Sequence, residues 1–164
     1  MTIIVKNKDT LTFGGFVFKC AIGKKGSTIK KKEGDLKTPK GIFEIGNLYY
    51  REDRLKKPST SLKTNIIGKK MGWCNDVNYP KKYNKQIKIN KKITHEKLNR
   101  KDSKYDLLIT IKYNFKKPKI GKGSAIFIHL TNNYRPTAGC IALKKNDLLI
   151  LLKLINRNTK IRIC

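Results

Sequence analysis

A thiol and an imidazole eleven residues apart, Cys140 and His129, are the chain's clearest candidates for chemistry. His129 falls at the end of an apolar run, AIFIHL at 125–130, and Cys140 follows a glycine just ahead of a second apolar run, IAL. Sulfur attacks a carbonyl as the thiolate, and a neighbouring imidazole both takes the proton and stabilises the anion left behind. Two strand ends joined by a loop of this length lie near each other in space, so the two groups can come within hydrogen-bond reach. Gly139 lets the backbone approach a substrate closely, and the amides of Gly139 and Cys140 can converge on an oxyanion. Pro136 and Thr137 stiffen the turn that presents the thiol. The competing reading is packing: free cysteines are among the most buried residues, and a histidine on an apolar strand is more often a satisfied core residue. Spacing alone leaves that choice open. A zinc site from Cys74, His95, His129 and Cys140 lacks the close ligand spacing of structural sites, and the four cysteines form no CxxC motif.

Most of the rest reads as short strands separated by turn chemistry. Residues 2–6 and 16–22 are rich in β-branched and aromatic side chains, and the second run ends at Gly23. Gly34-Asp35 and Thr38-Pro39-Lys40-Gly41 mark consecutive turns ahead of a strand at 42–45. Residues 46–70 are Lys-rich and weakly patterned, which predicts a long surface connection. The GWC at 72–74 holds the single tryptophan, and THEKLNR at 94–100, opening on a cap-like Thr94, predicts a short helix. Over 105–114 the alternation of Leu107, Ile109, Ile111 and Tyr113 with Leu108, Thr110 and Lys112 predicts a strand with one buried face. Residues 125–130 are apolar on both faces and suit the middle of a sheet. The run LLILLKLI predicts a helix, with Asn146 as its N-cap and Asp147 complementing the dipole, and a strand at 159–163 closes the chain. The pattern is mainly β with one or two helices, in one domain over residues 1–164.

Composition narrows the function classes. No apolar run approaches the ~20 residues of a membrane-spanning helix. Thirty-nine basic residues against 11 acidic ones give a formal charge of +28, a field that attracts polyanions. The cations are 33 Lys and 6 Arg, in a chain also rich in Ile and Asn. Those three residues rise together under AT-rich codons, whereas a nucleic-acid reader favours the Arg fork. Compositional drift therefore explains the charge better than a selected polyanion surface. The N-terminal stretch gives no export signal, since Lys6, Lys8, Asp9 and Gly14-Gly15 break any apolar core. On that reading the chain stays in the cytoplasm or leaves by a route its sequence does not reveal.

The segment around the thiol resembles the catalytic signature of the L,D-transpeptidase family, bacterial cell-wall enzymes with a cysteine nucleophile. That signature runs from a histidine at a strand end, through a variable loop, to Ser/Thr-x-Gly-Cys-apolar. Here those positions are His129, Thr137, Gly139, Cys140 and Ile141. GDLKTPKGIFEIG (34–46) is similar to the turn and strand that these domains carry upstream. The string from GWCNDVNYPKKYN through YDLLITIKYN to GKGSAIFIHL is similar to a compact, single-domain branch, so the likeness covers roughly residues 1–163. Two positions depart from it. Many members carry a histidine before the Gly-Cys pair, where this chain has Ala138, and an arginine two residues after the cysteine, where it has Ala142. The expected base is the upstream histidine, so the first change leaves the dyad whole. The second removes a substrate contact, and Arg135 stands in the loop as a substitute carboxylate anchor.

The resemblance implies a β-sandwich or barrel of mixed sheets with one or two helices, and a peptidoglycan acyl transfer. Cys140 attacks the third residue of a tetrapeptide stem, D-alanine leaves, and an amine resolves the thioester; with water as acceptor the reaction is an L,D-carboxypeptidase one. His129 serves as base and then acid, with the Leu130 carbonyl holding its tautomer. Thr137, Arg135 and Trp73 are candidate substrate contacts. The resemblance implies no metal or cofactor, no specific nucleic-acid partner, a monomer, a cell-envelope or periplasmic location, and contact with peptidoglycan stems and anionic wall polymers. Two other classes compete. One is a basic polyanion or nucleic-acid module using the lysines of 24–32 and 115–122 with Tyr113, Phe115 and Tyr134. The other is a catalytically degenerate wall-binding domain, suggested by Ala138 and Ala142.

Overall fold

Alternation at the N terminus folds the first 21 residues into an antiparallel meander of β1 (Thr2–Lys6), β2 (Thr10–Phe13) and β3 (Phe16–Ala21). Gly14 and Gly15, both at positive φ, form the two-residue turn whose twist suits such a hairpin. The structure is a computed structural model and describes residues 1–164. The chain continues through β4 (Ser27–Thr28), β5 (Thr38–Pro39), β6 (Gly41–Tyr50), β7 (Thr64–Ile66) and β8 (Met71–Cys74). It then forms β9 (Gln86–Lys88), β10 (His95–Lys97), β11 (Leu107–Ile111), β12 (Phe127–Leu130) and β13 (Ile141–Leu143). Helix α1 (Lys145–Leu154) and β14 (Lys160–Ile163) complete it.

Eight strands run in the order β11, β12, β13, β3, β2, β1, β14, β6, and β6 pairs back onto β11 to close a barrel. Closure leaves no open edge along this ring. The sheet is mixed: β1–β14 and β12–β13 are parallel, as is β7 on the second half of β6. Each barrel strand gives one face to the larger apolar cluster, which also takes in Leu148, Leu151 and Leu152 of α1. Those three leucines are fully buried, each worth about 1.5–3 kcal/mol relative to exposure.

A second layer covers the opposite face of β11 and β12. The antiparallel sheet β10-β8-β9 packs there through a smaller cluster that includes Trp73, Tyr105, Leu108, Phe127 and Cys140. Strand β11 therefore buries both faces, Leu107, Ile109 and Ile111 on one side and Leu108 on the other, where alternation predicted one. Other expectations also change. Residues 94–100 hold strand β10, because Thr94 N–H goes to the Asp76 carboxylate (2.9 Å) and Glu96 pairs with Trp73 across β8. Residues 46–70 are not a surface connection: β6 runs on to Tyr50, and Leu48, Tyr49, Tyr50, Leu62 and Ile67 are buried. The single helix is capped at Lys144, with Asn146 inside the first turn and no side-chain cap bond.

Candidate active site

The register of β12 and β13 places His129 and Cys140 on one face. In this parallel pair His129 lies level with Ala142 and Ile128 with Ile141, and register partners share a face. Strand alternation points Phe127 and His129 toward the smaller cluster, and Cys140, two residues before Ala142, returns to that side. The sulfur accepts Phe127 N–H at 3.4 Å and donates to the Ala125 carbonyl at 3.2 Å.

The turn ahead of the thiol is braced from three sides. Thr137 Oγ1 donates to the Cys140 carbonyl (2.6 Å) and accepts Gly139 N–H (3.1 Å). Lys24 N–H donates to the Thr137 carbonyl and Thr137 N–H to Ile22, at 2.8 and 2.9 Å. Gly139 sits at φ +144°, and a Cβ there would meet the Lys37 carbonyl oxygen at 2.8 Å, so only glycine fits. The segment holding Lys37 is itself fixed. Asp35 accepts Lys31 Nζ and the amides of Lys32 and Lys37, and fully buried Thr38 accepts Gly23 N–H. The turns read from the sequence at 34–41 thus form a buttress behind Gly139. Two sequence assignments change at this point. Gly139 N–H is already taken by Thr137, whereas Cys140 N–H bonds no acceptor in the protein. Of the two amides, Cys140's is the one open to an oxyanion. The Thr137 hydroxyl is used inside the turn, so it braces rather than binds.

His129 is almost wholly buried. Its Nδ1 lies 2.8 Å from the Leu130 carbonyl, an acceptor only, so that nitrogen carries the proton and Nε2 is left as the basic one. Nε2 is buried and has no hydrogen-bond partner. No hydrogen bond joins it to the Cys140 sulfur. The Tyr105 ring stands edge-on to the imidazole, with centroids 5.3 Å apart, and packs on Phe127 as well. Burial, reinforced by the nearby Lys104 charge, pushes the imidazole down to about 3. Burial also pushes the Cys140 thiol up to about 11, against the pull of the Phe127 amide and the Lys104 charge. Both groups are uncharged at neutral pH.

Two hollows of about 230 Å³ open beside them. One is lined by His129, Leu130, Arg135, Thr137 and Ala142, the other by Gly139, Cys140, Glu33, Glu96 and Tyr105, and Lys104 lines both. Ala142 faces the imidazole hollow, where its small side chain leaves room. Arg135 is exposed and pairs with no carboxylate. Trp73 is not at either hollow. It is 3% exposed in the second cluster, with its indole N–H on Asn84 Oδ1 (2.9 Å), because its strand is sandwiched against β11 and β12. Cys20 and Cys74 are buried packing residues. Lys104, Glu33 and Glu96 are the site residues the sequence does not single out, and no local pattern marks any of them.

Among known proteins, the chain matches the family described as YkuD: L,D-transpeptidase catalytic domain, over residues 1–163. Among solved structures it is similar in fold to Bd1075 of Bdellovibrio bacteriovorus, with a TM-score of 0.50 and 17% identity over 99% of this chain and 47% of that one. The chain spans about half the length of that protein. No curated protein matches the sequence.

Proposed function

Because the chain belongs to the L,D-transpeptidase catalytic domain family, we propose that it is a cysteine acyltransferase acting on peptidoglycan tetrapeptide stems, with Cys140 as nucleophile and His129 as base. The observation that best supports this is the pairing of a thiol at the wall of a hollow with a buried imidazole on one face of adjacent parallel strands, the imidazole presenting an unengaged Nε2. In the first half-reaction the thiol proton passes to His129 Nε2 as sulfur bonds to the carbonyl carbon of the third residue. The oxyanion takes the Cys140 amide. The C–N bond then breaks, His129 returns its proton to the leaving amine of D-alanine, and a thioester remains. In the second half, an amine, or water, gives its proton to Nε2, attacks the thioester and displaces the thiolate, which is reprotonated.

The resting protonation shapes this sequence. Burial holds the thiol up at about 11 and the imidazole down at about 3, so the neutral pair is the resting form before substrate arrives. Proton transfer therefore accompanies attack. The stem carbonyl must first draw the sulfur away from its bond to Ala125. On the other side of the imidazole, the leaving residue lies in the hollow lined by Ala142, and Arg135 there meets its terminal carboxylate. The family setting supports the cell envelope as the site of action, with anionic wall polymers as secondary contacts.

Intact-mass measurement with a disaccharide-tetrapeptide, its terminally amidated form and a penem β-lactam tests this reading. The expected result is one thioester or penem adduct on the wild type, a slower reaction with the amidated stem, and none on Cys140→Ala of unchanged fold. Binding to sacculi with neither adduct would leave a wall-binding domain instead.

A further inference from the structure

We infer that Lys104 is a third functional residue of this site, the cation that stabilises the Cys140 thiolate; the inference rests on the nucleophile assignment above. Its place is singular, since Lys104 lines both the thiol hollow and the imidazole hollow. Its backbone is fixed there from both sides. Lys104 N–H donates to Asp102 Oδ1 (3.1 Å), and its carbonyl accepts Leu130 N–H (3.1 Å), one residue from the imidazole. The ammonium rests 5.1 Å from the centroid of the Tyr105 ring, a ring pinned by its hydroxyl on Glu96 Oε1 (2.9 Å). A half-buried lysine over an aromatic face beside a sulfur is poised to meet negative charge.

The thiolate needs such a partner. In an ordinary Cys–His pair the imidazolium supplies the compensating charge, but His129 is almost fully buried and faces Lys104, Arg100 and Asp102, a net positive surround. The other charged groups around the sulfur hollow are engaged. Lys31 Nζ is held by Asp35 at 2.5 Å and by the Lys32 carbonyl. Glu33 accepts the Tyr83 and Ser124 hydroxyls, and Glu96 accepts Tyr105 and lies 3.5 Å from Arg100. Both carboxylates oppose a thiolate. Lys104 is the one cation at this hollow with no carboxylate within 4.0 Å. No sequence signal separates it from the other 32 lysines.

The test is the pH–rate profile of Cys140 alkylation by iodoacetamide, read by peptide mass in the full chain, with exposed Cys164 as an internal control. Lys104→Gln is expected to slow Cys140 alkylation about tenfold at fixed pH and to move its profile up by about one pH unit, with Cys164 unaffected. Lys104→Arg restores most of the wild-type profile, which a purely structural role would not require. Lys104→Ala gives a second neutral variant, and thermal melts report whether each is folded. A Cys140 profile unmoved in a folded neutral variant overturns the inference. Failure of the underlying assignment looks different: wild type then forms no thioester with the tetrapeptide at any pH.

Discussion

Thr137→Val isolates the brace that aims the thiol. The exchange keeps the side chain's shape but removes a hydroxyl bonded to the Cys140 carbonyl at 2.6 Å and to Gly139 N–H at 3.1 Å. Thr137 is 8% exposed, so water does not simply replace what is lost. Two buried backbone groups left unsatisfied cost about 1–3 kcal/mol each, and partial relaxation of the turn holds the total to about 2–4 kcal/mol. For a domain of this size that lowers Tm by roughly 5–15 °C. Function should suffer further, because a displaced turn moves both the sulfur and the Cys140 amide, and an error near 1 Å costs about 100-fold in rate. The assays are a thermal melt and the rate of thioester formation with a tetrapeptide stem. Thr137→Ser keeps the hydroxyl and should stay within about 1 kcal/mol of wild type. A valine variant melting within 2 °C of wild type, or a serine variant as impaired as valine, would refute the bracing argument.

Gly139→Ala puts a Cβ 2.8 Å from the Lys37 carbonyl oxygen at a φ of +144°, and backbone opposite backbone has little room to yield. We expect a loss of about 2–4 kcal/mol in urea unfolding together with loss of acylation, whereas Gly34→Ala, with open space around it, should cost less. The buried imidazole gives a pH signature. Its folded value near 3 lies below the ordinary 6.5, so the unfolded chain binds the extra proton first. The stabilisation is full above pH 6.5 and is lost as pH falls toward 3. Between pH 7.5 and 5.0 this amounts to about 2 kcal/mol, and His129→Gln should flatten that part of the urea-unfolding profile. An equal slope in the variant would show that other groups carry it.

Where sequence reading succeeded, the signal was local. The alternation at 105–114 and the apolar run at 125–130 mark β11 and β12, although the alternation gives β11 one buried face and the structure buries both. The thiol, its glycine, its threonine and the imidazole fall within twelve positions, and the barrel needed only to set β12 beside β13. The failures are non-local. THEKLNR has helix-forming residues, yet pairing with β8 and the Asp76 carboxylate hold it extended. The TNI of β7 has no pattern of its own and is a strand because β6 lies alongside. For Trp73 the sequence favours a core place over a cleft, as a single tryptophan in a β domain does, and the second sheet over β11 and β12 supplies that core. Strand β2 is a miss of another kind, because the alternation in Thr10-Leu11-Thr12-Phe13 is a local signal that the reading of strands at 2–6 and 16–22 passes over. Lys104 was not legible at all, because its link to the site is a hydrogen bond from Leu130, 26 positions away.

The site also departs from the rules its scaffold obeys, and the departures share one cause. A buried Nε2 without a partner lowers stability, and the Cys140 amide is left without an acceptor as well. In the proposed mechanism each is a group ready for a bond that substrate supplies: the orphan nitrogen takes the thiol proton, and the open Cys140 amide takes the oxyanion. Around this end the closed barrel keeps strand pairing continuous through β11 and β6. Neutrality has a chemical consequence as well. A thiol raised to about 11 reacts slowly with alkylating agents and oxidants at neutral pH while the site is empty, and in the proposed mechanism a bound carbonyl draws it from Ala125 toward Lys104. Burial alone would make Cys140 inert, and an exposed ion pair would leave it reactive toward any electrophile. On the proposed mechanism, a buried neutral pair beside one unpaired cation ties reactivity to occupancy.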